Sequence, residues 1–238
     1  MNNKLFLIPC PITEEGLHTL SPEIADAVKQ CEVFFVENER SARRFLKKLW
    51  KEMVIDDYSW FVIQDEGAAA QFRAQAMAGK NIGIISDAGC PGVADPGQDL
   101  IAVAQDIQLT IHPLVGPSSI LLALMASGLN GQQFQFHGYL PIQEQDRQKA
   151  LKKLEADAVK SGSTQIFIET PYRNNALIQT MIRILDPGTR MCVAVDLTAE
   201  TESIRTRRIS EWRKEEVNIH KRTAIFLLGS SIGKPDIL

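Results

Sequence analysis

Short apolar runs alternate with longer amphipathic stretches along this chain, and that alternation is what most narrows the folds open to it. Lys4–Ile8, Val33–Val36, residues 81–85 and residues 109–112 read as strands. The stretches opening at Ser21-Pro22-Glu23 and covering 42–49, 66–78 and 99–105 read as helices. Runs of four or five apolar residues bounded by turn residues indicate strands covered on both faces. Helices between such strands indicate βαβ units and a largely parallel sheet. Ser21 suits a helix N-cap, Pro22 a first helical position and Gly79 a helix end.

The pattern breaks at His112-Pro113-Leu114-Val115-Gly116-Pro117, where proline and glycine interrupt regular structure. It reads as a hinge, with Ser118 capping a helix that ends before Gly128. Residues 1–115 are therefore expected to form one α/β domain and residues 116–238 a second. In the second, 134–138, 164–168, 190–197, 204–209 and 223–228 read as strands. Residues 143–160 read as one helix and Pro171 as the start of another running to about 185. With 45% apolar and 23% charged residues, each half can build a core without disulfides or metals.

The cysteines stand at 10, 31, 90 and 192 and the histidines at 18, 112, 137 and 220, with no metal-ligand, redox or triad spacing. No metal is expected. The apolar run after Met1-Asn2-Asn3-Lys4 is too short for a signal peptide, and 120–125 is too short to span a bilayer. These features lead to an expectation of a cytoplasmic protein without membrane association. Charge is uneven: residues 1–117 hold 10 Lys+Arg and 16 Asp+Glu, and residues 118–238 hold 16 and 13. The basic stretch 205–222 admits a polyanion partner or an ordinary solvated face.

Three segments carry candidate chemistry. Ser86-Asp87-Ala88-Gly89-Cys90-Pro91-Gly92-Val93-Ala94-Asp95-Pro96-Gly97 joins a buried strand to a helix. Its glycines let the backbone approach a ligand, and its prolines stiffen a loop too long for a plain connection. Ligands of open α/β sheets bind beyond the carboxyl ends of the strands. Val115-Gly116-Pro117-Ser118-Ser119 sets two hydroxyls at a helix N-terminus. Phe167-Ile168-Glu169-Thr170-Pro171-Tyr172-Arg173 groups a carboxylate, a phenol and a guanidinium at a strand-to-helix turn. Neither dinucleotide nor P-loop fingerprint is present, and Gly-x-Ser-x-Gly is absent, which excludes the commonest nucleotide-binding and hydrolase readings.

In order and spacing these segments resemble the tetrapyrrole-methylase family (class III methyltransferases), and within it the branch acting on small-subunit ribosomal RNA. That branch carries S-D-A-G-x-P-G-x-x-D-P-G, matched by 86–97, and G-P-S-[AS], matched by Gly116 to Ser119. It also carries F-x-F-x-G-[FY]-L-P, matched by Phe134 to Pro141, and E-x-P-[HY]-R, matched by Glu169 to Arg173. The resemblance covers about residues 4–229. It implies two α/β domains with S-adenosylmethionine in the cleft between them, in a homodimer.

The resemblance further implies that Pro9, Asp87, Ala88, Gly89, Pro91, Gly92 and Val93 line the cofactor pocket, with Ser118 and Ser119 at the hinge. Leu140, Pro141, Tyr172, Leu197, Thr223, Ala224 and Ile225 would close it from the second domain, and Arg40 and Arg173 would meet substrate. Glu169 and Glu200 are candidate catalytic helpers, with Asp87 a third.

Three places depart from the branch pattern. Ile8-Pro9-Cys10-Pro11-Ile12-Thr13-Glu14 replaces V-G-T-P-I-G-N, Glu37-Asn38-Glu39-Arg40 replaces E-D-T-R, and Asp196-Leu197-Thr198-Ala199 replaces E-L-T-K. Three functions therefore stay open: 2′-O-methylation of ribose in ribosomal RNA or the 30S subunit, methylation of a tetrapyrrole or other small molecule, and cofactor binding without catalysis.

Overall fold

The computed structural model describes residues 3–230; Met1 and Asn2, part of the segment read against a signal peptide, lie outside the described residues. The chain divides into two compact units, residues 1–118 and 119–238.

The first unit is a five-stranded sheet built from β1 (Lys4–Ile8), β2 (Val33–Val36), β3 (Ser59–Val62), β4 (Ile82–Ile85) and β5 (Thr110–Pro113), in the order β3-β2-β4-β1-β5. Every pairing is parallel. Period-two geometry sends alternate side chains to opposite faces. Phe6, Ile8, Phe34, Val36 and Ile85 meet α1 (Glu23–Gln30) and α2 (Glu39–Leu49). Leu5, Val33, Phe35, Ile82 and Ile84 meet α3 (Ala68–Met77) and α4 (Gln98–Asp106). The apolar runs exist because both faces are covered, as the sequence indicated.

Helix starts follow local chemistry. The Ser21 hydroxyl accepts from the Glu23 amide at 3.3 Å, and Pro22 holds helical dihedrals. Helix α2 begins at Glu39 rather than at 42, because the Asn38 side chain accepts from the Ser41 amide at 3.1 Å and caps it. Strand β3 is a correction: Ser59-Trp60-Phe61-Val62 was not read as a strand, being short and at a sheet edge. Its place is secured by ring stacking across the pair, Trp60 on Phe34 at 5.0 Å and Phe61 on Phe35 at 4.9 Å between centroids.

The second unit opens with α5 (Ser119–Ser127). Its sheet holds β6 (Phe134–Tyr139), β7 (Thr164–Ile168), β8 (Arg190–Val195), β9 (Ser203–Arg208) and β10 (Ala224–Gly229), in the order β6-β7-β10-β8-β9. Here the expectation of a largely parallel sheet fails. Only β6–β7 is parallel, while β7–β10, β10–β8 and β8–β9 are antiparallel. Only a seven-residue turn separates β8 from β9, too short for a crossover helix, so β9 must return antiparallel.

The helices α6 (Glu144–Ser161) and α7 (Asn174–Ile184), with the short α8 (Ile209–Trp212), cover one face of this sheet, and α5 covers the other. Pro171 does not open α7, which starts three residues later; residues 171–173 form a turn, with the Arg173 amide donating to Thr170 O at 2.9 Å. Helix α8 was likewise not anticipated. It is anchored by buried Trp212, whose Nε1 donates to Met191 O at 3.0 Å. Among the described residues, no helix is long and apolar enough to cross a membrane.

Gly83 in central β4 leaves room for the core. A Cβ there would lie 2.8 Å from Ile8 Cδ1 and from Phe34 Cδ1, and both side chains are fully buried. Gly83→Ala is expected to cost about 1–3 kcal/mol through overpacking. Urea denaturation should show a lower midpoint; an unmoved midpoint would mean that these side chains can yield.

Candidate functional site

Because all five strands of the first sheet run parallel, their carboxyl ends share one edge. Pro9-Cys10 leaves β1 there, Glu37 leaves β2, Ser86-Asp87 leaves β4, and Leu114 to Ser118 leaves β5. Backbone bonds stitch these exits together. Cys10 and Gly89 form an isolated antiparallel bridge, N–H to O at 2.8 Å and 3.1 Å in the two directions. The Cys90 thiol donates to Pro117 O at 3.5 Å. Gly116 packs on the buried Pro9 ring so closely that a Cβ on it would overlap the proline's Cβ and Cγ. Gly89, Gly92 and Ala94 all hold positive φ, so the 86–97 loop follows a course few residue types allow.

Within this edge the structure brings together Pro9, Asp87, Ala88, Gly89, Pro91, Gly92, Val93 and Ser118. Asp87, Ala88 and Val93 are exposed, Pro9 and Pro91 are buried, and Gly89, Gly92 and Ser118 lie between. Sequence reading missed Glu37 and Asp95. Glu37 Oε2 accepts from the Asp87 amide at 3.0 Å. Burial, then the charges of Glu37 and Asp87, push the Asp95 carboxyl up to about 6. Glu37 was findable, because it directly follows a buried strand of the same sheet; Asp95 lay inside the matched motif but carried no distinguishing spacing. Three carboxylates at one sheet edge favour a cationic ligand.

Beside the loop lies a cavity of about 180 Å³, lined by residues 10–14, Leu17, Ser41, Ala42, Arg44, Phe45, Lys48, Ser86 and Asp87. Arg40, the substrate-binding candidate on α2, is exposed and is not among these lining residues.

In the second unit the strand directions gather the remaining candidates. β6, β7 and β8 end, and β10 begins, at one edge, since Tyr139 pairs with Ile168, Ile168 with Ile225, and Val195 with Ala224. Leu140, Pro141, Glu169, Tyr172, Leu197, Thr223, Ala224 and Ile225 therefore share it. Leu140, Leu197, Ala224 and Ile225 are buried; Pro141, Tyr172 and Thr223 are exposed. Ser119 begins α5 and is half-buried.

Glu169 and Arg173 meet each other. Arg173 Nε and Nη2 donate to Glu169 Oε1 at 2.9 Å and 2.6 Å, and the Thr170 amide donates to the same oxygen at 2.7 Å. The carboxylate is 1% exposed, and its Oε2 is buried without a hydrogen-bond partner. Glu200 is exposed on the turn after β8. At the base of that turn Asp196 takes bonds from Arg222 Nε at 2.7 Å and Thr201 Oγ1 at 2.9 Å. Burial raises the Asp196 carboxyl, but the bonds from Arg222, Thr201 and Thr223 outweigh it and hold the group below the usual aspartate range.

The basic stretch 205–222 is largely spent inside its own unit. Arg205 and Arg207 pair with Glu215, Arg213 donates to Ile182 O and Leu185 O, and Arg222 serves Asp196. Structure thus favours the solvated-face reading of that stretch. Of the histidines, His137 Nε2 lies 2.7 Å from Gln165 Oε1, and His112 and His220 pack on Phe6 and Tyr172. Among the described residues no group of three or more His, Cys, Asp or Glu side chains could hold a metal ion.

Residues 7–212 match the model of the tetrapyrrole (corrin/porphyrin) methylases. A Bacillus subtilis (strain 168) protein named ribosomal RNA small subunit methyltransferase I is 32% identical over 217 residues, covering 89% of this chain and 70% of its own. Its namesake in Escherichia coli O157:H7 is 26% identical over 231 residues, covering 94% and 77%. Among solved structures, the methyltransferase CobJ is similar at a TM-score of 0.64 and 16% identity, covering 96% of this chain and 95% of that one. Diphthine synthase is similar at 0.66 and 11% identity, covering 96% and 90%. These last two likenesses establish the two-domain α/β fold.

The raised Asp95 carboxyl has a consequence for stability. The folded protein keeps this proton up to about pH 6, whereas an unfolded chain releases it near pH 4. Ionised Asp95 therefore costs stability above about pH 6, and the cost fades as pH falls from 6 towards 4. Asp95→Asn is expected to raise the melting temperature at about pH 8, by the equivalent of roughly 1 kcal/mol after discounting for solvent screening. Melts repeated down to about pH 4 should show the gain disappear; a gain that persists there would contradict this account.

Proposed function

Because the chain belongs to the tetrapyrrole (corrin/porphyrin) methylase family and is a methyltransferase, we propose that it transfers a methyl group from S-adenosylmethionine to a ribose 2′-hydroxyl of small-subunit ribosomal RNA. The observation that carries the donor assignment is the carboxylate trio Glu37, Asp87 and Asp95 beside a glycine-rich loop. S-adenosylmethionine, when bound, supplies an electrophilic methyl on a positively charged sulfonium. The residues present fit such a group. Their negative charge complements a cation. The bridge between Cys10 and Gly89, and the contact of Gly116 with Pro9, hold the loop backbone open without side chains in the way. Gly89, Gly92 and Ser118 are the residues we assign to holding it, with Asp87 and Val93 at the loop's exposed side.

Positioning does most of the work in a displacement of this kind, so rigidity at the loop matters more than added charge. A hydroxyl nucleophile also gains from a base within reach. We assign that role to Glu169, whose Oε2 has no hydrogen-bond partner while Oε1 is held by Arg173 and the Thr170 amide. Glu200, exposed on the turn after β8, is the second candidate. Arg173 is one-third exposed and so can meet a substrate phosphate while its other donors hold Glu169. The ribosomal RNA assignment is supported by the names of the relatives in Bacillus subtilis and Escherichia coli. A second copy of the chain is proposed as partner on the exposed apolar side chains of α5, Leu121 and Met125, and the place of action is proposed to be the cytoplasm.

Mass mapping of ribosomal RNA from cells with and without the gene is expected to show one ribose methylation lost on deletion. An unchanged map would move the assignment to a small-molecule acceptor; calorimetry showing no association with the donor would remove the donor assignment itself. Glu169→Gln is expected to lower kcat by about a hundredfold, the smaller end of what general-base catalysis contributes, with donor affinity unchanged. Unaltered turnover would take Glu169 off the list.

A further inference from the structure

We infer that Arg40, Arg44 and Lys48, one row of helix α2, form a subsite for the phosphate backbone of the RNA substrate; the inference rests on the ribosomal RNA assignment proposed above. Helix α2 places five cations in eleven residues, in a half of the chain where acidic residues outnumber basic ones. Helical periodicity sorts them into two rows. In one, Arg43 pairs with Glu39 at 2.5 Å and lies 5.2 Å over the Trp60 ring, and Lys47 donates to Lys51 O at 2.6 Å and Met53 O at 2.8 Å. That row locks the helix to β3 and to the chain that follows it.

The other row does no such work. Arg40, Arg44 and Lys48 stand four residues apart and are exposed, and among the described residues they make no ion pair. Like charges at this spacing repel, so the row is a cost to the isolated helix that an external anion would relieve. Arg44 and Lys48 also line the 180 Å³ cavity that reaches Ser86 and Asp87. The row therefore runs up to the loop assigned to the donor.

The shape of the charge decides between a polymer and a free small anion. The cavity walls hold two cations, Arg44 and Lys48, against two carboxylates, Glu14 and Asp87, so an isolated phosphate entering it gains little. A strand laid along the helix meets all three cations, with Arg40 lying outside the cavity lining. Successive members of the row rise by about 6 Å, comparable with the step between adjacent phosphates. Contacts of this kind set register and affinity without reading sequence.

The test uses the full-length Arg44→Gln/Lys48→Gln variant, with Arg43→Gln as the control in the structural row. Fluorescently labelled small-subunit ribosomal RNA is titrated at several salt concentrations, and methyl transfer and donor affinity are measured alongside. Two lost phosphate contacts should flatten the slope of log K against log salt by about 1.4. The KM for RNA should rise by about tenfold, with kcat at saturating RNA and donor affinity unchanged. Arg43→Gln should lower the melting temperature but keep the wild-type slope. A double variant with wild-type slope and KM, while the wild type binds RNA, would overturn the subsite alone. Displacement of the RNA from the wild type by a nucleoside monophosphate at equal phosphate concentration would also overturn it. A wild type showing no salt-dependent association with RNA would overturn the ribosomal assignment, and this inference with it.

Discussion

Strand β1, paired in parallel with β4 on one side and β5 on the other, is the constraint on which the candidate site depends. Parallel pairing puts the exits of all three strands at one edge, and register fixes which residues leave there. Ile8 pairs with Ile85, and Leu7 with Pro113, so Pro9, Ser86 and Leu114 emerge side by side. A slip of one residue would turn the alternate side chains of β1 to the opposite faces. Phe6 and Ile8 would then leave the core they share with α1 and α2, and burying one such side chain is worth about 1.5–3 kcal/mol. Core packing on two faces thus fixes which residues leave at this edge, where the Cys10–Gly89 bridge and the Gly116–Pro9 contact form.

The second unit reaches the same result by a different route. Its sheet is mostly antiparallel, yet β6, β7 and β8 still end where β10 begins. The electrostatic character of the two edges differs. The first gathers Glu37, Asp87 and Asp95, with Asp95 raised chiefly by burial. In the second, each carboxylate facing an arginine is bonded to it, Glu169 to Arg173 and Asp196 to Arg222. A buried, paired carboxylate is a poor site for a free cation but a good anchor for a guanidinium that must hold one direction.

Most elements were legible because their signals are local. Lys4–Ile8, Val33–Val36 and Thr164–Ile168 are apolar runs between turn residues, and each is a strand with those bounds. The errors lie where a non-local contact decides. Strand β3 is made by stacking of Trp60 and Phe61 on β2, and α8 by the burial of Trp212 under α7 and β8. Pro171 lies ahead of α7 rather than opening it, since the Arg173–Thr170 turn and the Glu169 ion pair occupy those residues. The basic stretch 205–222 leaves a polyanion partner and a solvated face both open in sequence, because its partners, Glu215 and Asp196, are identified only once β9 and β10 are in place.

The chain by itself determined the alternation of strand and helix, the glycine- and proline-stiffened loop at 86–97, and the motif order that marks the family. All of these are encoded within a few residues, through propensity, capping and permitted dihedrals. Only the tertiary structure decided the direction of the strands in the second sheet, the joining of Glu37 and Asp95 to Asp87, and the pairing of Glu169 with Arg173. It also decided which cations of α2 are bound and which are left to solvent. Each of those depends on charges and side chains brought close by folding, and Coulombic and hydrogen-bond energies act over ångströms in space, not over positions in sequence.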